Sequence, residues 1–138
     1  VAESCTGGWI SKLLTDAPGS SSWFDRCIVA YGNEAKTELL GVRQTLLDNH
    51  GAVSRSAVVE MVRGLQARTT ASVTLAVSGI SGPSGGTPEK PVGTVHLAIA
   101  TRDGTILPAQ FRFHGDRDAI RRQTVDAALR LIAQIRSE

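Results

Sequence analysis

Two strand-like runs, Val92 to Thr101 and Thr105 to Phe113, meet at Asp103-Gly104. Asp-Gly between alternating apolar segments is a strong short-range signal for a tight antiparallel hairpin. Upstream of that hairpin the strand candidates alternate with helices, an order that joins parallel neighbours through crossovers. The two patterns together predict a mixed sheet of about four or five strands, covered by helices in a three-layer α/β/α arrangement. A chain of 138 residues accommodates this as a single domain, residues 1–138, burying about two-thirds of the surface it exposes when unfolded.

The helices follow from periodicity and caps. Trp9, Ile10, Leu13 and Leu14 share one face of a segment running from Gly7 to about Thr15, ended by Asp16-Ala17-Pro18-Gly19. Ser20 to Ser22 cap a short turn through Trp23 and Phe24, and Cys27 to Tyr31 is a compact apolar strand. Asn33 is the expected N-cap of a helix carrying Lys36, Leu39 and Leu40, stopped by Gly41. A short helix from Thr45 to His50 precedes a longer one capped by Ser54, with Val58, Met61, Val62 and Leu65 at helical spacing and Gly64 as a weak point. Val73 to Ser78 alternates as a strand into the loop Gly79 to Gly86. Asp116 caps the last helix, whose Ile120, Thr124, Ala127, Ala128, Leu131 and Ile135 form an inward stripe. Trp9 and Trp23 are expected to pack in the core, with a contact between copies as the other reading.

Val1-Ala2 reads as the end of a strand whose beginning, with a preceding helix, is missing from the sequence. The carboxyl ends of three strands, after Ala2, Tyr31 and Ser78, are therefore expected to converge, as they do in open α/β sheets. Ala2-Glu3-Ser4-Cys5-Thr6-Gly7-Gly8 is the most suggestive of the three turns. Small hydroxyls and glycines ahead of a helix leave backbone N–H groups that suit an anion, or are satisfied by an ordinary cap.

Composition narrows the function classes. The chain is 41% hydrophobic and 20% charged, with a net charge of +2, and its basic residues are scattered rather than striped, which speaks against nucleic acid as partner. Arg117, Arg121 and Arg122 form one local concentration, enough for a small phosphorylated ligand. Cys5 and Cys27 lack redox or zinc spacing and read as free thiols of a reducing cytoplasm. No apolar run approaches the ~20 residues of a membrane span. His50, His96 and His114 lack metal-ligand spacing and belong to no Ser-His-Asp set, so each is read as structural or solvated. Ser4 needs a base. Lys36, after a strand-end turn beside Tyr31, becomes one if burial lowers its pKa, and is otherwise an ordinary helix lysine.

Six segments occur in one order: Ala-Glu-Ser-Cys-Thr-Gly-Gly at 2–8, Tyr-Gly-Asn-Glu-Ala-Lys at 31–36, Gly-Ala-Val-Ser at 51–54, Ser-Gly-Ile-Ser-Gly-Pro at 78–83, Lys-Pro-Val-Gly-Thr-Val at 90–95 and Gly-Asp-Arg at 115–117. Over essentially its whole length the chain resembles the C-terminal domain of the CinA family, which also occurs as a stand-alone nicotinamide mononucleotide deamidase. The resemblance implies hydrolysis of the nucleotide carboxamide to nicotinic acid mononucleotide and ammonia, without metal or cofactor. It makes Ser4 the nucleophile, Lys36 the general base and Tyr31 a neighbour that orients or relays the proton. Cys5, Thr6, Gly7, Gly8, Asn33, Ser78, Gly79 and Arg117 are the expected substrate contacts, with the oxyanion received by amides around Cys5 to Gly7. Family members often carry threonine at the position of Ser78, serine at Gly32 and alanine at Ser81.

Two places suit the substrate phosphate, Thr6-Gly7-Gly8 at the helix start and the Gly82 to Gly86 loop with Lys90, the first slightly favoured. Cys5 is a second nucleophile candidate, a buried small residue being its more ordinary role. Self-association into a homo-oligomer is expected. A nucleotide-binding or regulatory module that has lost catalysis is the alternative function, and DNA association finds no support in the charge pattern.

Overall fold

The computed structural model describes residues 1–136. Five strands, β1 (Ala2–Glu3), β2 (Ile28–Val29), β3 (Val73–Gly79), β4 (Thr94–Thr101) and β5 (Ile106–Arg112), form one sheet in the order β2-β1-β3-β4-β5. β2, β1 and β3 run parallel, while β4 and β5 are antiparallel to their neighbours. This is the mixed sheet that the hairpin and the crossover order predict. Thr101 N donates to Thr105 O at 3.0 Å across a three-residue loop, in which Gly104 takes the positive φ and Asp103 Oδ1 accepts from Thr105 N. Pro108 interrupts no ladder because β5 is an edge strand.

Helices α1 (Trp9–Thr15) and α5 (Arg117–Arg136) cover one face, and α2 (Asn33–Leu40), α3 (Gln44–His50) and α4 (Arg55–Gln66) cover the other. Alternation along the central strands feeds both cores. Leu75, Val77, Val95, Leu97 and Ile99 pack with Ile10, Val125 and Ala128. Ala76, Ala98 and Ala100, from the intervening positions, pack with Leu40, Val58, Met61 and Leu65. Central strands buried on both faces explain why their apolar character is nearly continuous.

Three local readings change. The strand expected from Cys27 to Tyr31 shrinks to Ile28–Val29, because its partner β1 is itself only two residues long before the chain turns at Ser4. Gly32, not Asn33, is the N-cap of α2, and Asn33 is the first helical residue with no side-chain cap bond. Trp23 is 49% exposed and stands edge-on to Phe24 rather than in the core, whereas Trp9 packs partly into the α1/α5 side.

The other caps are as read from the sequence. Ser54 Oγ accepts from Ala57 N at 3.1 Å, and Asp116 Oδ1 accepts from Ala119 N at 2.8 Å. Gly64 has a packing role: a Cβ there would lie 1.8 Å from Leu40 O, so the missing side chain is what lets α2 and α4 approach.

Candidate active site

The chain leaves β1 at Glu3 and turns at once into α1, with Ser4 at the bend. Gly7 N donates to Ser4 O at 3.0 Å, and Gly7 and Gly8 hold φ of +59° and +103°, a geometry that side chains resist. Ser4 is thereby fixed at the carboxyl end of β1, between the ends of β2 and β3.

Lys36, on the first turns of α2, reaches it from the neighbouring crossover. Its side chain is 1% exposed, and Nζ donates to Ser4 Oγ at 3.0 Å, Ala30 O at 3.0 Å and Tyr31 O at 2.8 Å. No carboxylate pairs with it among the described residues. Burial therefore lowers the pKa of the ammonium from the ordinary lysine value, opposed in part by the nearby Cys5. In its neutral form Nζ has two hydrogens for the two carbonyls and one lone pair left for the Ser4 hydroxyl. That is the arrangement of a base waiting on a nucleophile.

Tyr31 contributes through its backbone. Its carbonyl accepts from Lys36 and, at 3.4 Å, from Ser4 Oγ, so the orienting contact comes from the main chain. The exposed phenol instead accepts from Arg117 Nη2 at 3.0 Å, and Arg117 Nη1 donates to Gly82 O at 2.7 Å. Arg117 thus ties the turn after β2 to the loop after β3.

The resulting cleft, about 270 Å³, is walled by Ser4, Cys5, Lys36, Tyr31, Asn33, Ser78, Gly79 and Arg117. Eight of the residues singled out from the sequence come together there. Ala52 and Val53 add an apolar wall, and Ser81 and Ser84 add hydroxyls that sequence reasoning did not assign. Gly79 is tightly enclosed, since a Cβ would lie 2.8 Å from Val95 Cγ2 and 3.2 Å from Cys5 Sγ. A larger groove of about 520 Å³ lies at the opposite end of β1 and β3, around Val1, Trp23 and Thr74. It contains neither Ser4 nor Lys36, which both line the smaller cleft.

Thr6, Gly7 and Gly8 do not line the cleft, and the expectation that they hold a phosphate is corrected. Glu3 fills that place. Its buried carboxylate folds back over the start of α1 and accepts from Thr6 Oγ1 (2.5 Å), Gly8 N (3.2 Å), Ile10 N (3.0 Å), Ser11 N (3.0 Å) and Ser11 Oγ (2.7 Å). Burial pushes the Glu3 pKa up, but these donors outweigh it and keep the group below the usual carboxylate range. The helix end already has its anion. The signal in the sequence was a carboxylate placed directly ahead of a helix-opening turn.

Lys90 is also engaged elsewhere, donating to His50 O at 2.6 Å. Cys5 is 6% exposed, and burial pushes its thiol up to about 11, which leaves it a protonated packing residue rather than a nucleophile. His50 and His114 are exposed, and His96, buried in β4, lies outside the cleft. Among the described residues no helix is long and apolar enough to cross a membrane.

Comparison with known proteins agrees with this architecture. Residues 1–135 match the CinA C-terminal domain family. The chain is 51% identical over 133 residues to the nicotinamide-nucleotide amidohydrolase PncC of Escherichia coli K12, covering 96% of this chain and 81% of that protein. It is equally similar to PncC of Pseudomonas putida, covering 99% and 85%. The crystal structure of the competence/damage inducible protein CihA from Agrobacterium tumefaciens superposes with a TM-score of 0.95 at 45% identity, over 98% of this chain and 82% of that one. The chain belongs to the CinA C-terminal domain family.

Proposed function

We propose that this member of the CinA C-terminal domain family is an amidohydrolase that converts nicotinamide mononucleotide and water to nicotinic acid mononucleotide and ammonia. The observation that carries the reading is the 3.0 Å contact between a buried lysine, which has no counter-ion among the described residues, and a serine that lines a cleft. Relatives at 51% identity over nearly the whole chain bear the name of a nicotinamide-nucleotide amidohydrolase, which supports the substrate.

Neutral Lys36 takes the proton of Ser4 as Oγ attacks the carboxamide carbon. The tetrahedral oxyanion is received by a main-chain amide of the Ser4 turn. Gly7 N is occupied by Ser4 O, which leaves that of Cys5, a residue of the cleft wall. One such donor is worth ~3 kcal/mol of barrier. Lys36 returns its proton to the leaving nitrogen, ammonia departs, and an acyl ester remains on Ser4. Water then attacks with Lys36 again as base, the ester bond breaks, and Ser4 recovers its hydrogen. The positive pyridinium ring withdraws electrons from the amide and eases both attacks.

A cleft of this size takes the pyridine carboxamide and leaves the ribose phosphate at the mouth, where Arg117 presents a fixed guanidinium. Ser78, 1% exposed, supplies a hydroxyl deep in the same wall. The two free cysteines support residence in a reducing cytoplasm. The exposed Val29 on edge strand β2 supports pairing of two copies. The direct test is metal-free release of ammonia from nicotinamide mononucleotide by the purified protein; wild type and Ser4→Ala behaving alike would overturn the assignment.

A further inference from the structure

Arg121 is a conspicuous cation for which the mechanism above has no use. It lies one turn beyond Arg117 on the same face of α5, and its guanidinium reaches under the nucleophile turn. Nε donates to Cys5 O at 3.0 Å and Nη2 to Thr6 O at 3.3 Å. The group also stacks over the Trp9 ring at 5.5 Å, which fixes its plane. No ion pair among the described residues includes it. Its charge is directed at two consecutive carbonyls and at no carboxylate.

The Cys5-Thr6 peptide is trans, so its N–H points opposite to its C=O. Holding Cys5 O against α5 therefore fixes the whole peptide plane and, with it, the backbone of Cys5 in the cleft wall. The turn needs such support, because the ionised Glu3, next to Ser4 in sequence, accepts from Thr6 Oγ1 in the same turn. A buried carboxylate so near disfavours a forming oxyanion unless a cation balances it.

We propose that Arg121 is a positioning residue for the hydrolysis, holding the Cys5-Thr6 peptide and with it the turn that presents the amide of Cys5, a residue of the cleft wall, to the oxyanion formed on attack by Ser4. This rests on Ser4 being the nucleophile but not on the identity of the nucleotide. Ground-state binding at Arg117 and the base at Lys36 are untouched by it.

The test reads Ser4 reactivity separately from turnover. Labelling of the wild type by an alkyl fluorophosphonate, followed by mass spectrometry, is expected at Ser4 and absent in Ser4→Ala. Its rate reports stabilisation of the developing oxyanion without requiring the nucleotide. Arg121→Met is expected to slow that labelling about 10- to 100-fold and to lower kcat for nicotinamide mononucleotide by a similar factor. KM should stay within about threefold, and so should the Kd for the nucleotide in a Ser4→Ala background. Arg121→Lys, which keeps the charge and one of the two bonds, is expected to recover part of the rate and covers the case in which the methionine variant folds poorly. Labelling rates equal in wild type and Arg121→Met, no labelling of Ser4 in either, or a loss confined to KM would overturn the proposal. Normal labelling of the wild type without ammonia release would instead overturn the nucleotide reading and leave Arg121 in its role.

Discussion

Lys36 Nζ lies 3.0 Å from Ser4 Oγ, and two carbonyls, those of Ala30 and Tyr31, take its other two hydrogen-bonding directions. A lysine so placed has nowhere to send a third hydrogen except the serine. Burial favours removal of that hydrogen, and on the proposed mechanism the neutral amine is the base. The expected behaviour of the protein follows from this pair and from the two charged groups, Glu3 and Arg117, that frame it.

The activity should rise with pH through the titration of Lys36. Burial lowers its pKa, so the neutral, competent form accumulates below the ordinary lysine value. A pH–rate profile of kcat/KM is expected to climb through a single ionisation that disappears in any residual activity of Lys36→Met. A profile that rises only near pH 10.4, where an unperturbed lysine titrates, would place the base elsewhere.

The same shift affects stability. Between the folded and unfolded pKa values of Lys36 the unfolded chain binds more protons, so the stability contributed by this group rises with pH across that window. Lys36→Met, which buries no charge, should gain on the wild type as pH falls through the window and lose that advantage as pH rises. Urea unfolding of both proteins at several pH values measures the difference.

Glu3→Gln should destabilise the protein by about 3 kcal/mol at neutral pH, since an amide nitrogen would face donors that now bond a carboxylate. The sign with pH is opposite to that of Lys36. The depressed pKa of Glu3 stabilises the fold above the unfolded carboxylate range and ceases to do so as pH falls through the folded value. The gap between variant and wild type should therefore narrow on acidification, as read by denaturant unfolding at neutral and acid pH.

Gly64→Ala separates helix propensity from packing. Propensity alone favours alanine by about 1 kcal/mol, but the added Cβ would overlap Leu40 O at 1.8 Å. Overlap should win, with a lower unfolding midpoint. A midpoint raised by the substitution would mean that α2 and α4 are not so closely packed.

Arg117→Gln should raise KM for nicotinamide mononucleotide at least tenfold while leaving a smaller effect on the dephosphorylated nucleoside, because the lost charge serves the phosphate. Equal effects on both substrates would assign Arg117 to holding Tyr31 and Gly82 rather than the ligand.

Much of this site was legible before the fold was seen. The hairpin at Asp103-Gly104, the caps at Ser54 and Asp116, and the meeting of three strand ends all follow from local chemistry and element order. So does the pairing of Ser4 with Lys36, once the family resemblance had marked both. What escaped depends on how side chains return across a turn. Glu3 alternates in sequence like any strand residue, and its place directly ahead of a helix-opening turn does not by itself say that the carboxylate swings over α1 and takes Gly8 N with the amides of Ile10 and Ser11. Tyr31 stands out in the sequence for its phenol, yet it is its carbonyl that touches Lys36, a contact set by the end of β2 rather than by residue type. Gly64 read as a weakness of α4, and only the distance to Leu40 O makes it a requirement.

Ammonia release from nicotinamide mononucleotide, measured for wild type, Ser4→Ala and Lys36→Met under identical metal-free conditions, tests the Ser4–Lys36 pair most directly. The pair predicts robust release by the wild type, a loss of at least about 1,000-fold in Ser4→Ala and of about 100-fold or more in Lys36→Met, both with folding intact. Undiminished turnover in either variant would contradict it.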